Sequence, residues 1–191
     1  MQLHTHFFLS WLLPWTALRE RRDRVIVALA GIAPDVDGPI LLAMGHDSFV
    51  EHHHDYTHHL AGATLAAAAG LALGRSRWRT AGFAALAWCG HLLFDMIGAG
   101  DRHPGEPFAY TVPLLWPFSD RPFDPFPFAW PLDSWQSVAV MGAALALVVR
   151  MALVEGRTPV EVISERADRA VVTALRRRLG RESKPDAPAA P

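Results

Sequence analysis

Cysteine is almost missing from this chain: Cys89 is the only one in 191 residues. A lone thiol excludes an internal disulfide and a cysteine-rich zinc site, so any metal must be held by imidazole and carboxylate. Net charge is nearly absent too, at −1 with histidine neutral, which removes any global pull toward nucleic acid. No Lys or Arg precedes the first apolar run, Phe7 to Trp15, whereas Arg19, Arg21, Arg22 and Arg24 follow it. That order is the reverse of a secretory leader. Charge is also scarce in three long apolar runs, near 60–74, 81–97 and 137–153, where Asp95 and Arg150 are the exceptions.

The chain has histidine in excess, and in one place. The stretch Glu51-His52-His53-His54-Asp55-Tyr56-Thr57-His58-His59 holds five of the ten histidines. Imidazole is the commonest metal ligand, and an internal run broken by Asp55, Tyr56 and Thr57 is not a purification tag. The remaining alternatives are a solvated loop or histidines capping a helix.

Taken in order, the apolar runs predict an all-α, up-and-down bundle of about five to six helices. The first runs from about His6 to Arg19. The second covers Val25 to Ala33 and stops at Pro34, and Pro39 to Met44 is a third apolar piece. Leu60 to Gly74, Ala81 to Ile97 and Ser137 to Leu153 follow. Residues 104 to 135 carry eight prolines and nine aromatics with no regular period, and read as a loop or cap. Thr158-Pro159-Val160-Glu161 has the form of a capping box opening the last helix. Its stripe would be Val160, Ile163, Ala167, Val171, Ala174 and Leu175, opposite Arg166, Arg169, Arg176 and Arg177. The expected organisation is a helical domain over 1–155, a basic amphipathic helix over 156–180 and a disordered tail over 181–191.

Helices apolar on every side are either central in a core or exposed to lipid. Three of them cannot all be central in a chain this small, so a multi-pass membrane protein is expected. A soluble bundle is the alternative, because none of the runs quite reaches the ~20 residues of a full span. Walking the chain up and down sorts the side chains. His6, Asp35, Asp37, the histidine cluster, His91 and Asp95 fall at one pole. The basic turns Arg19–Arg24 and Arg75–Arg79, with Arg150 and Arg157, fall at the other. The positive-inside tendency would put the basic turns in the cytoplasm, the ligand pole toward the outer face and the last helix on the inner leaflet.

His91 and Asp95, four apart, share one helix face and suit two ligands on one ion. A charged Asp95 in an apolar helix needs a partner. His53 and His58 would point toward a shared site if a helix begins near Thr57, which is placed to cap it. Asp35 and Asp37 sit where Pro34 stops the second helix, as ligands or as acceptors for backbone N–H groups. His6 lies at the same pole, whereas His4 points elsewhere. Asp101 and His103 are spare candidates.

These residues carry a resemblance. Thr5-His6, the run Gly31-Ile32-Ala33-Pro34-Asp35-Val36-Asp37, His53-x-x-x-Thr57-His58 and His91-x-x-x-Asp95, in that order, resemble the bacterial membrane-bound metal-dependent hydrolase (YdjM-like) family. Leu114-Leu115-Trp116-Pro117-Phe118 is similar to that family's Leu-x-Pro-Phe stretch, and the likeness covers roughly residues 1 to 155. It departs where the family has His-Arg-Gly-x-Thr-His-Ser: here His54, Asp55 and His59 stand at the changed positions. A weaker similarity is to zinc-dependent phospholipase C, whose downstream HxxxE is missing. The resemblance implies a protein of the bacterial inner membrane that hydrolyses its substrate with metal-activated water.

Divalent ions lower the pKa of bound water and polarise the scissile bond. Asp35 and Asp95 with His6, His58 and His91, and His53 as a sixth candidate, would hold one or two ions, zinc first and Mn or Mg as alternatives. Asp55 or Glu51 would act as general base, with His54, His59, Thr57 and Asp37 supporting the site or adding a ligand. The expected substrate is an ester or phosphoester of a small molecule, lipid or other amphiphile. The rival is a non-enzymatic metal-binding or metal-transporting membrane protein, though transport requires ligands strung along a path.

Overall fold

The structure, a computed structural model, describes residues 2–98 and 111–180. The tail from Arg181, the start of the Pro/aromatic segment, Asp101 and His103 lie outside the described residues, as does the side chain of Glu51. Among the described residues every regular element is helical, with one isolated bridge between Val112 and Phe123. The α-helices are α1 (Leu3–Leu12), α2 (Arg21–Ala30), α3 (Gly38–Met44), α4 (His46–His52), α5 (Ala61–Leu73), α6 (Arg77–Ile97), α7 (Trp135–Val154) and α8 (Glu165–Arg178). Two of them, α6 and α7, are long and apolar enough to cross a membrane. The bent pair formed by α2 with Ala33–Met44 would make a third span.

The extra helices arise where proline and glycine divide the expected ones. α1 ends at Leu12 rather than near Arg19, because Pro14 has no N–H to continue the ladder. The second helix starts earlier, at Arg21, and ends at Ala30. A 3₁₀ turn, Ala33–Asp37, then carries the chain through Pro34 into α3, at a bend of 63°. Gly45, at φ 132°, separates α3 from α4, which ends at His52, so the rest of the histidine-rich stretch is turn and loop.

The chain divides into two compact units, up to Ala144 and from Leu145. In the first, α5 lies closely along α6, and α2 packs on both α6 and α1. Small residues permit this approach. Gly62, Ala63, Ala66 and Gly70 form the buried stripe of α5, against Ala81, Ala84 and Trp88 of α6. A Cβ at Gly70 would stand 2.6 Å from the Ala81 backbone. This is the small-residue packing of membrane helices, where close backbone approach substitutes for a hydrophobic driving force. On the outer faces the apolar side chains Leu65, Leu86 and Leu93 are exposed, which suits hydrocarbon surroundings.

At one end of this unit the fully buried Asp23 accepts hydrogen bonds from the backbone N–H groups of Arg75 (2.7 Å) and Ser76 (3.0 Å). The basic turn over residues 21–24 is thereby joined to the turn that leads into α6. At the opposite end, the loop over 111–134 is tied to the helix termini. Leu60 N–H donates to the Leu114 carbonyl, Phe126 N–H to Met96 and Trp130 N–H to Ile97.

In the second unit, Thr158 caps a short 3₁₀ turn, Pro159–Val162, rather than the α-helix. α8 begins at Glu165 with Ser164 as its cap. Ile163, Ala167, Val171 and Ala174 of the expected apolar stripe are exposed, which suits a helix on a membrane surface, whereas Asp168 and Val172 are buried. The cause is a polar demand. Thr158 donates to the Asp168 carboxylate through both its N–H (2.7 Å) and its hydroxyl (2.6 Å), and this turns Asp168 inward.

Candidate metal centre

Five segments of the first unit deliver side chains to one point. α6 carries His91 and Asp95, one turn apart on its buried face. The 3₁₀ turn after α2 supplies Asp35, the end of α4 supplies His53, the loop before α5 supplies His58, and α1 supplies His6. Gly31 makes part of this closeness possible. A Cβ there would lie 1.7 Å from the Ser10 hydroxyl oxygen, so only glycine lets α1 lie against the end of α2.

The central atoms are His58 Nε2, His91 Nε2, Asp35 Oδ1 and Asp95 Oδ2, a set of donors able to share one ion. His58 Nε2 and His91 Nε2 are 3.3 Å apart. Asp35 Oδ1 is 3.6 Å from His58 Nε2 and 3.4 Å from His91 Nε2. Asp95 Oδ2 lies 3.5 Å and 2.9 Å from the same two nitrogens. A tetrahedral ion with ligands at about 2.0–2.1 Å has ligand–ligand edges of ~3.3–3.4 Å. The side chains are spaced like a coordination shell.

The protons reinforce this. His91 Nδ1 sits 2.8 Å from the Gly31 carbonyl, which can only accept, so Nδ1 carries a proton and Nε2 is the nitrogen turned to the carboxylates. Thr57 gives its hydroxyl proton to the Pro34 carbonyl. His58 Nδ1, 3.3 Å from the Thr57 oxygen, is then the donor to it. The two Nε2 atoms consequently face each other at 3.3 Å with the Asp35 and Asp95 carboxylates beside them, placed to take up either a cation or protons. Burial pushes the His58 imidazole down, but its bonds to Asp35 and Asp95 outweigh this and hold it above its ordinary value.

The other sequence candidates fall into place around this group. His6 Nε2 lies 3.0 Å from Asp95 Oδ1, and its ring stacks on His91 at 3.8 Å. It stands outside the four-donor set and orients the Asp95 carboxylate. His53 Nε2 is 3.1 Å from Asp35 Oδ1, while its Nδ1 is 3.0 Å from Asp37 Oδ1. Asp37 thereby holds His53, as outer carboxylates commonly hold metal-binding imidazoles. His54 forms a second group of three with His53 and His58. Thr57 caps no helix, because α5 begins only at Ala61.

Two candidates are not brought in. Asp55 is exposed and pairs with His52 at 3.1 Å. His59 Nδ1 accepts from Gly62 N–H at 3.2 Å, and its carbonyl accepts from Trp88 Nε1 at 3.0 Å, so it ties the start of α5 to α6. Sequence reasoning missed the carbonyls of Gly31 and Pro34, which set the tautomers. Backbone acceptors leave no signal in residue identity.

Burial, then the positive potential of His58, lowers the His54 imidazole to about 3, although Asp95 pulls the other way. An unfolded histidine titrates near 6.5, so between pH 6.5 and 3 the unfolded chain binds the extra proton. His54 therefore favours folding above pH 6.5, and that contribution is lost as pH falls toward 3. In chelator-treated protein, thermal stability should decline from pH 7 to 4, and His54→Leu should flatten that slope. An unchanged slope would show that His54 is not held neutral.

A family model described as "YdjM inner membrane protein" matches residues 1–174. No curated protein and no solved structure matches the chain. The family description names a location and no reaction.

Proposed function

We propose that this chain, which belongs to the YdjM inner membrane protein family, is a membrane-bound metal-dependent hydrolase. It would act on an ester or phosphoester of a lipid or other amphiphile. The observation that carries the reading is the spacing of His58, His91, Asp35 and Asp95: each imidazole nitrogen lies 2.9 to 3.6 Å from the other and from both carboxylates. Donors of this type fit zinc best, with Mn or Mg as alternatives. When bound, the ion lowers the pKa of water and polarises the scissile bond.

The chain's own residues do the rest. Asp95 and His91 form the rigid floor, fixed by His6 and the Gly31 carbonyl. Asp35 is the most open of the four, with its side chain 13% exposed, and it faces the cavity from which water and substrate arrive. His58, His91, Asp35 and Asp95 would hold the ion, and Asp35, the most open of them, would be the one beside incoming water. Its Oδ1 also lies 3.1 Å from His53 Nε2, which would add a further ligand. Asp55 is no longer a candidate base. Asp37, 3.0 Å from His53 Nδ1, is a further carboxylate beside the group.

Exposed Phe118, Phe128 and Trp135 suit a membrane interface at the metal end. With the basic turns in the cytoplasm, that end would face outward.

The test is elemental analysis of purified protein beside His58→Ala, together with hydrolysis of p-nitrophenyl esters and bis(p-nitrophenyl) phosphate before and after chelation. At least one divalent ion per chain is expected, lost in the variant, with hydrolysis that stops on chelation. Full cation content in His58→Ala would remove the metal centre, and a loaded protein inert toward both substrates would remove the hydrolase.

A further inference from the structure

We infer that the cavity beside the four donors receives a single hydrocarbon chain of a membrane amphiphile, entering over α3, with the head of that molecule at Asp35 and Asp95. The inference rests on the hydrolase reading and narrows its substrate.

The cavity measures about 400 Å³. Asp35, Asp95, His53 and His54 line it together with the apolar side chains Leu3, Leu42, Phe49 and Leu132. No Lys or Arg is among the described residues that line it, so beyond the donors there is little to bind a charged or strongly hydrated group. An apolar wall next to polar donors matches a ligand apolar along its length and polar at one end. A methylene fills about the space of a water molecule, ~30 Å³, so the cavity holds on the order of ten methylenes. That is one chain rather than two.

The route is marked by α3. Leu42 lines the cavity yet is half exposed, and Ile40 and Met44 of the same helix are 65% and 70% exposed. Apolar side chains of α3 thus continue from the cavity to the outer surface. In an inner membrane protein the space beyond that surface is the bilayer. A short helix set off by a 63° bend from α2 is also the kind of element that lines a cavity at membrane depth.

The experiment uses the full chain, metal-loaded, in lipid nanodiscs. The probes are alkyl hydroxamic acids from two to fourteen carbons, whose heads chelate divalent ions, with affinity read by calorimetry. Affinity should rise ~4-fold per methylene, the equivalent of about 0.8 kcal/mol buried, and level off on the order of ten carbons. In Leu42→Trp and Leu132→Trp the rise should stop several carbons earlier, with acetohydroxamic acid unaffected. Partition into the bilayer favours long probes equally in all three proteins, so the difference between them is the readout. One length profile shared by all three would overturn the proposal. If no hydroxamate of any length binds wild type, the metal reading has failed instead. Photolabelling with a diazirine-tipped decanoic acid then decides the chain: label on Leu42 or Leu132 peptides, reduced in the tryptophan variants, sustains it, and labelling indifferent to the variants overturns it.

Discussion

Asp95→Ala should strip the cation from the protein and abolish hydrolysis. Asp95 is buried, with its side chain 4% exposed, and its two oxygens face His6 on one side and His58 and His91 on the other. Removing one partner of a buried charge arrangement costs about 3–5 kcal/mol, which is roughly 10²- to 10⁴-fold in cation affinity. Asp95→Asn keeps the shape but not the charge, and should lose most of the same affinity. His6→Ala removes only the bond to Asp95 Oδ1 and should cost about 10- to 100-fold, the usual worth of a group that orients a ligand. Titration of the chelated proteins with Zn²⁺ gives all three values. Wild-type affinity in Asp95→Ala would be fatal to the centre as described.

Gly70→Val should be the most damaging single change away from the site. The added Cβ would stand 2.6 Å from both the Ala81 Cα and N, and no rotamer can relieve a clash with backbone. α5 and α6 would have to separate along their most closely packed line. Overpacking of this kind costs about 3 kcal/mol, or ~6–12 °C in melting temperature for a chain of this length. Gly82 is the control, because nothing lies within 4 Å of its Cβ position. Gly82→Ala should be neutral or stabilising by about 0.5–1 kcal/mol. Thermal unfolding in one detergent compares the pair, and equal melting temperatures would mean that α5 and α6 are not packed as described.

The helical character and the apolar faces were legible because they depend on patterns within single segments. His91 and Asp95 were legible for the same reason: a spacing of four on one helix needs no tertiary knowledge. Asp35 was marked by its place after Pro34. Residues whose role depends on a distant backbone group were not legible. His59 and Asp55 look like ligands by composition, yet one ties helix to helix and the other pairs with His52 at the surface. Thr57 was read as a cap, but its hydroxyl is drawn to the Pro34 carbonyl. In the last helix the apolar stripe was legible from its period, whereas the inward turn of Asp168 depends on its bonds to Thr158 and was not.

The 63° break between α2 and the segment Ala33–Met44 has a consequence for how the protein is made. A nascent stretch bearing Asp35 and Asp37 resists entering hydrocarbon alone, since an acid at mid-depth costs about 2.5–3.5 kcal/mol on insertion scales. The partners that satisfy these acids come later in the chain, His53 and His58 before α5 and His91 on α6. The stretch is therefore expected to settle in the membrane only once those segments have been made.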